Sequence, residues 1–258
     1  MGYTSIWRNP VVKFIVFNKC VKRTSVKIER GKYMMTGKEL ENNQVTIIGE
    51  VVSTFTYNHE IYGEGFYMME LRVERLSSSH DIIPVMISER LIDVTKDYRG
   101  QFMEIQGQFR SYNRHDERKN KLVLSVFARE ANFVELDEEN MPESNKTNSI
   151  YLDGYICKEP IYRKTPLGRE IADLLLAVNR PYGKSDYIPC ISWGRNARFA
   201  GNFKVGERVL VWGRIQSREY MKRIDEETVE KRIAYEVSVS KLETVADMLN
   251  ETLNGFEN

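Results

Sequence analysis

IADLLLAVNRPYGKSDYIPCISW (Ile171–Trp193), read with GERVLVWGRIQSREY (Gly206–Tyr220), decides the fold. The first piece is a mostly apolar strand that breaks at Pro181-Tyr182-Gly183 and resumes as a strand ending in Trp193. Successive side chains of a strand turn to opposite faces, so one face meets a core and the other stays free. The free face here brings aromatics and arginines together, a surface suited to stacking bases while neutralising phosphates. Tyr187 and Trp193 are separated by an even number of residues and therefore share a face.

Outward from this stretch the pattern occurs twice. NQVTIIGEVV (Asn43–Val52) has a counterpart in NSIYLDGYIC (Asn148–Cys157), with Gly49 matching Gly154 at an offset of 105. The register persists through Gly63 and Gly168, Val73 and Val178, Arg75 and Arg180, Asp81 and Asp186, Pro84 and Pro189. It slips by one at Gly100 with Gly206 and Gly107 with Gly213. This is an internal duplication, each copy large enough for one small domain.

Each copy reads as five strands and one short helix. In the second copy the strands are expected near 148–157, 169–179, 186–193, 207–219 and 231–240, with the helix in RNARFAGNF (Arg195–Phe203). Gly154 and Gly213 interrupt strand patterns, as at a bulge or at the sharp bend that closes a small barrel. The expected fold is all-β with short helices: two tandem five-stranded barrels of the oligonucleotide/oligosaccharide-binding (OB) layout. Residues 43–134 form the first, degenerate barrel and residues 148–245 the second. The acidic stretch ELDEENMPESNKT, residues 135–147, is a linker. Residues 246–258 are a short acidic tail, and residues 1–42 a disordered basic extension.

Composition narrows the function. Cys20, Cys157 and Cys190 lie far apart with no CxxC pair, which argues against a disulfide framework and a cysteine-based zinc site. His59, His80 and His115 have no metal-ligand spacing, and no apolar run is long enough to span a membrane. The net charge of +1 is unevenly spread. Residues 1–33 carry eight Lys/Arg against one Glu, or +7; residues 43–134 carry 11 basic and 13 acidic groups, or −2; residues 148–245 carry 17 and 13, or +4. A polyanion is expected on the second copy. The apolar patch Val11–Phe17 is too short, and too interrupted by Lys13, for a secretory signal. Either the mature chain starts at Met34 or Met35, or the segment is a basic arm.

With these motifs in hand, the second copy resembles the bacterial single-stranded DNA-binding protein family. The resemblance rests on RKTPLGREIADLLLAVNR (Arg163–Arg180), DYIPCISWGR (Asp186–Arg195) and VGERVLVWGRIQSREY (Val205–Tyr220), in order across nearly the whole copy. It implies base stacking on Tyr182, Tyr187, Trp193 and Tyr220. Phosphate contacts are expected from Arg163, Lys164, Arg180, Lys184, Arg195, Arg214, Arg218 and Lys222. Trp212, between Val211 and Gly213, reads instead as a core residue.

The first copy departs from this pattern. Ile82, Ser88 and Arg114 stand where the second has Tyr187, Trp193 and Tyr220, so most of the platform is missing. Tyr112, Phe55, Tyr57 and Tyr62 compensate only in part, from loops. The expectation is a division of labour: the second barrel grips DNA, while the first assists, pairs with another subunit or docks a protein.

No pattern supports catalysis, a metal or a cofactor. Gly63–Gly65 lacks a strand-turn-helix context, Asp225–Glu227 reads as a solvated hairpin turn, and His80 beside Asp81 has no nucleophile. The expected function is sequence-independent binding and protection of single-stranded DNA in replication, recombination or repair. The expected setting is the bacterial cytoplasm, at the nucleoid. Four barrels around a strand, usual in the family, imply a homodimer. Family members usually recruit replication and repair proteins through an acidic tip ending in Pro-Phe. This chain ends LNGFEN (Leu253–Asn258), which implies an accessory member. Two other readings stay open: an OB scaffold of a replication-restart or recombination complex, and an RNA-binding chaperone.

Overall fold

The computed structural model describes residues 42–75, 77, 79–116, 119–135, 147–223 and 229–245. Most of the expected basic extension and linker, the whole tail and Asp225–Glu227 lie outside the described residues.

Alternation builds the strands. In β1 (Asn43–Val51), Val45, Ile47 and Val51 are buried, while Gln44, Thr46, Ile48 and Glu50 keep solvent contact. There follow β2 (Thr56–Ile61), β3 (Glu64–Glu74), β4 (His80–Ser88), β5 (Phe102–Asp116) and β6 (Lys119–Val134). The second half repeats them as β7 (Asn148–Ile156), β8 (Ile161–Lys164), β9 (Glu170–Asn179), β10 (Ser185–Trp193), β11 (Arg208–Arg223) and β12 (Val229–Thr244). A 3-10 turn (Pro181–Gly183) precedes β10 and a helix, α1 (Gly194–Ala200), follows it.

Each half closes on itself. β1 pairs with both β3 and β5, β3 with β4, β4 in parallel with β6, and β6 with β5. β7, β9, β10, β12 and β11 repeat the circuit, again with one parallel pair, β10 with β12. The two barrels have one continuous core list, with Ile47, Leu71, Ile83 and Phe109 in the first and Leu152, Leu176, Ile188 and Val237 in the second. Each such side chain contributes about 1.5–3 kcal/mol. Two glycines are required by close approach. A Cβ on Gly213 would lie 2.2 Å from the Ser238 carbonyl oxygen, where β11 and β12 shift register, and one on Gly154 would lie 2.9 Å from that of Ala177.

Three sequence expectations need correction. β2 and β8 are extra edge strands, short and largely exposed, so no core-facing alternation announces them. The helix expected in both copies is present only as α1. After β4 the chain makes turns, because Asp93 accepts from the Thr95 amide at 3.1 Å and Asp97 from the Arg99 amide at 3.1 Å. Such local bonds give the backbone an alternative to helix. Trp212 is not a core residue. Val211 and Ile215 turn inward, so Trp212 faces out, with the Tyr151 ring 5.2 Å away and Lys241 Nζ 4.7 Å from its centroid.

The barrels join through an antiparallel pairing of β1 with β7, from Asn43 opposite Leu152 to Ile47 opposite Asn148. Two matching latches flank it. Asp81, 0% exposed, accepts from Arg75 of its own barrel and from the Ser217 amide (2.6 Å) and hydroxyl (3.0 Å) of the other. Asp186, 1% exposed, accepts from Arg180 and from the Ser111 amide at 2.5 Å. Arg75 also donates to the Ser217 carbonyl at 3.0 Å and Arg180 to that of Ser111 at 2.9 Å. The Arg75/Arg180 and Asp81/Asp186 matches of the duplicated sequence are thus the seam itself. A buried carboxylate needs this many donors to remain charged.

Candidate nucleic-acid interface

β10 has Ile188, Cys190 and Ser192 turned inward, which leaves Tyr187, Pro189, Ile191 and Trp193 on the outward side. Burial pushes the Cys190 thiol well above its ordinary pKa, so beneath the wall it is inert. Tyr187 is 38% and Trp193 41% exposed. Trp193 stands opposite Ile171 of β9, itself opposite Arg163 of β8. Tyr187 stands opposite Ala177 of β9, which lies opposite Tyr155 of β7.

The wall continues across the parallel pair. Ser238 of β12 lies beside Ile191. The β12 residues Ser238, Glu236, Ala234 and Arg232 face Arg214, Gln216, Arg218 and Tyr220 of β11. One outward surface therefore collects Tyr187, Trp193 and Tyr220 with Arg163, Arg214 and Arg218.

Its arginines are held in place by carboxylates that sequence reading passed over. Arg163 donates to Asp173 at 2.9 Å, Arg218 lies 3.6 Å from Glu236, and Gln216 donates to Glu236 at 2.8 Å. The Arg218 guanidinium sits 6.0 Å from the Tyr220 ring centroid. Arg214 reaches Asp81 at 3.4 Å, and its pKa is lowered by burial and then by the neighbouring Arg75 charge. An arginine so lowered is still charged.

The other candidates are placed as follows. Tyr182 lies in the 3-10 turn that leads into β10. Lys184 is exposed just after that turn, and Arg195 is exposed on α1, two residues past Trp193. Lys164 alternates with Arg163 on β8, so it points away from the wall, 4.0 Å from Glu170. Lys222 is half-buried on the extended β11–β12 hairpin. Arg180 belongs to the seam, committed to Asp186 and Ser111. The first barrel also holds the wall directly, since the Tyr187 amide donates to the Ser111 hydroxyl at 2.7 Å. No sequence signal marked Ser111. Only its place 106 residues before Ser217 hints at a paired role.

The same wall of the first barrel is built differently. Ser88, at the Trp193 position, is buried and donates to Glu64 at 2.5 Å, and Ile82, at the Tyr187 position, is half-buried. The aromatics enter on other strands. Phe66 lies opposite Ser88, as Ile171 lies opposite Trp193, and Phe127 lies beside Met86, as Ser238 lies beside Ile191. The two rings are 5.7 Å apart, Arg110 lies over Phe127 at 3.9 Å, and His59 stacks on Phe66 at 5.1 Å. The platform is relocated where the sequence suggested it was mostly lost.

Comparison with known proteins bears on the second barrel first. Residues 147–245 match the single-strand binding protein family. Single-stranded DNA-binding protein 2 of Listeria innocua is 40% identical over 80 residues, covering 28% of this chain and 50% of that protein. Single-stranded DNA-binding protein A of Bacillus subtilis is 39% identical over 80 residues, covering 28% of this chain and 46% of that protein. This chain thus spans about half the length of the curated relatives it matches. The single-stranded DNA binding protein from Thermus aquaticus superposes with a TM-score of 0.60 at 20% identity, covering 78% of this chain and 92% of that one. At that identity the likeness is one of fold, and it extends beyond either barrel alone. The second barrel is similar to the bacterial single-stranded DNA-binding proteins, on an architecture of two OB barrels.

Proposed function

We propose that the chain binds and protects single-stranded DNA without sequence preference, in replication, recombination or repair. The observation that carries this reading is the outward wall where Tyr187, Trp193 and Tyr220 stand among Arg163, Arg214 and Arg218. Each stacked base contributes about 1–3 kcal/mol, and any base serves because each has a π-face. Tyr182 extends the stacking row at the turn before β10. Lys184 and Arg195 flank it and track the phosphates, with Lys164 and Lys222 at its margins. Carboxylates beside Arg163 and Arg218 orient these side chains before the strand arrives, which lowers the entropy lost on binding.

Two chains form a homodimer that offers four barrels to one strand, acting in the bacterial cytoplasm, where replication or repair proteins are its partners. The role is that of a binding protein, with no catalytic step. Among the described residues no helix is long and apolar enough to cross a membrane.

The decisive test is titration of the full chain with oligothymidine while tryptophan emission is followed. Quenching through Trp193 that weakens as salt rises is expected. Emission that stays unchanged at saturating oligonucleotide and low salt overturns the reading. Light scattering at micromolar concentration tests the dimer, which a monomeric mass would refute.

A further inference from the structure

We infer that the first barrel carries a separate site for a nucleotide of the same unpaired strand, built on Phe127 and Arg110. The inference rests on the strand-binding reading of the second barrel. The site is a cleft of about 480 Å³ lined by Glu64, Phe66, Arg90, Arg110, Phe127 and Arg129, among others. That size falls within the range of small-molecule sites.

Three features give it a nucleotide's chemistry. The first is flat surface. Arg110 lies 3.9 Å over the Phe127 ring, and Phe66 tilts against Phe127 at 5.7 Å. Aromatic rings and guanidinium planes both take stacked bases. The second is charge: three arginines against Glu64 leave the lining at +2, although the barrel as a whole is negative. Arg90, with its side chain 68% exposed and 3.3 Å from Glu64, stands at the rim where a phosphate would pass. The third is space. The cleft opens where the second barrel has Trp193, because Ser88 is small and is drawn down onto Glu64 at 2.5 Å. The two barrels therefore grip one strand through different strands of their sheets: β10 and β11 in the second, β5 and β6 in the first.

The test uses the full chain and its Arg90→Gln/Arg110→Gln variant. An oligothymidine of about 8 nucleotides fits one barrel and one of about 30 reaches both. The long strand, followed by anisotropy, is expected to bind the variant about tenfold more weakly, with the salt slope reduced by about 1.4 for two lost phosphate contacts. The short strand is expected to quench Trp193 in both proteins with affinities within about twofold. Unchanged long-strand affinity and salt slope in the folded variant overturn the inference. Should Arg110→Gln lower the melting temperature sharply, Arg90→Glu, at an exposed rim position, decides alone by the same two readings. If the short strand fails to quench even the unsubstituted chain, the reading of the second barrel falls, and this inference with it. A normal short-strand signal beside an unchanged long-strand one removes only the first-barrel site.

Discussion

Arg75 with Asp81 in the first barrel and Arg180 with Asp186 in the second make the same contacts, each pair gripping a serine of the opposite barrel. Ser88 and Trp193, also at matching positions, share no role. One is buried on a glutamate and the other stands 41% exposed on an open wall. The difference follows from where the residues lie. A buried carboxylate that loses a donor leaves an uncompensated charge, so both copies of the seam are tightly constrained. An outward wall is half in water, and exchanging a ring for a hydroxyl there costs folding little. The duplicated chain can therefore hold two barrels in one fixed frame while their walls take different ligand chemistry.

The largest expected effect falls on the shared part. Asp186→Ala or Asp81→Ala leaves an arginine and a serine amide without their acceptor, and each is expected to cost about 3–5 kcal/mol in urea unfolding. A loss below about 1 kcal/mol for either would show that the latches do not hold the barrels. Residues 148–245 alone should bind oligothymidine more weakly than the full chain, because the Tyr187 amide then lacks the Ser111 hydroxyl.

Next comes the part that differs. Trp193→Ala is expected to weaken oligothymidine binding by about 1–3 kcal/mol, whereas Ser88→Ala should change it by less than about twofold. Equal effects in a fluorescence-independent assay such as anisotropy would erase the asymmetry between the walls. A smaller effect separates two arginines of the second barrel. Arg218→Gln should lower the slope of log affinity against log salt by about 0.7, the value for one phosphate contact on a single strand. Arg180→Gln should leave that slope unchanged and lower the melting temperature, since its guanidinium is bound at the seam. The smallest effect is expected at Trp212→Phe, whose ring packs beside Tyr151 and Lys241 on a different stretch of the outer surface. Stability should fall by less than about 1 kcal/mol, with the quench by oligothymidine retained.

Much of this was legible in the sequence because period-two patterning and an offset repeat survive without knowledge of the fold. The strands of the second copy, its short helix and the shared face of Tyr187 and Trp193 could all be read this way. The edge strands could not, since four to six exposed residues carry no core signal. Nor could Trp212 be placed, because an apolar neighbourhood in sequence does not say which side of a strand meets the core.

The chain by itself determined the duplication, the two barrels and a wall able to hold rings and cations, because alternation and spacing are local properties. Only the tertiary structure decided which arginines face a ligand and which close the seam. Arg180 and Arg218 look alike in sequence, and what separates them is a partner 69 residues away for one and a ring two residues along for the other. It also decided that the first barrel keeps an aromatic platform. Phe66, Phe127 and Arg110 come from three strands that meet only when the barrel closes.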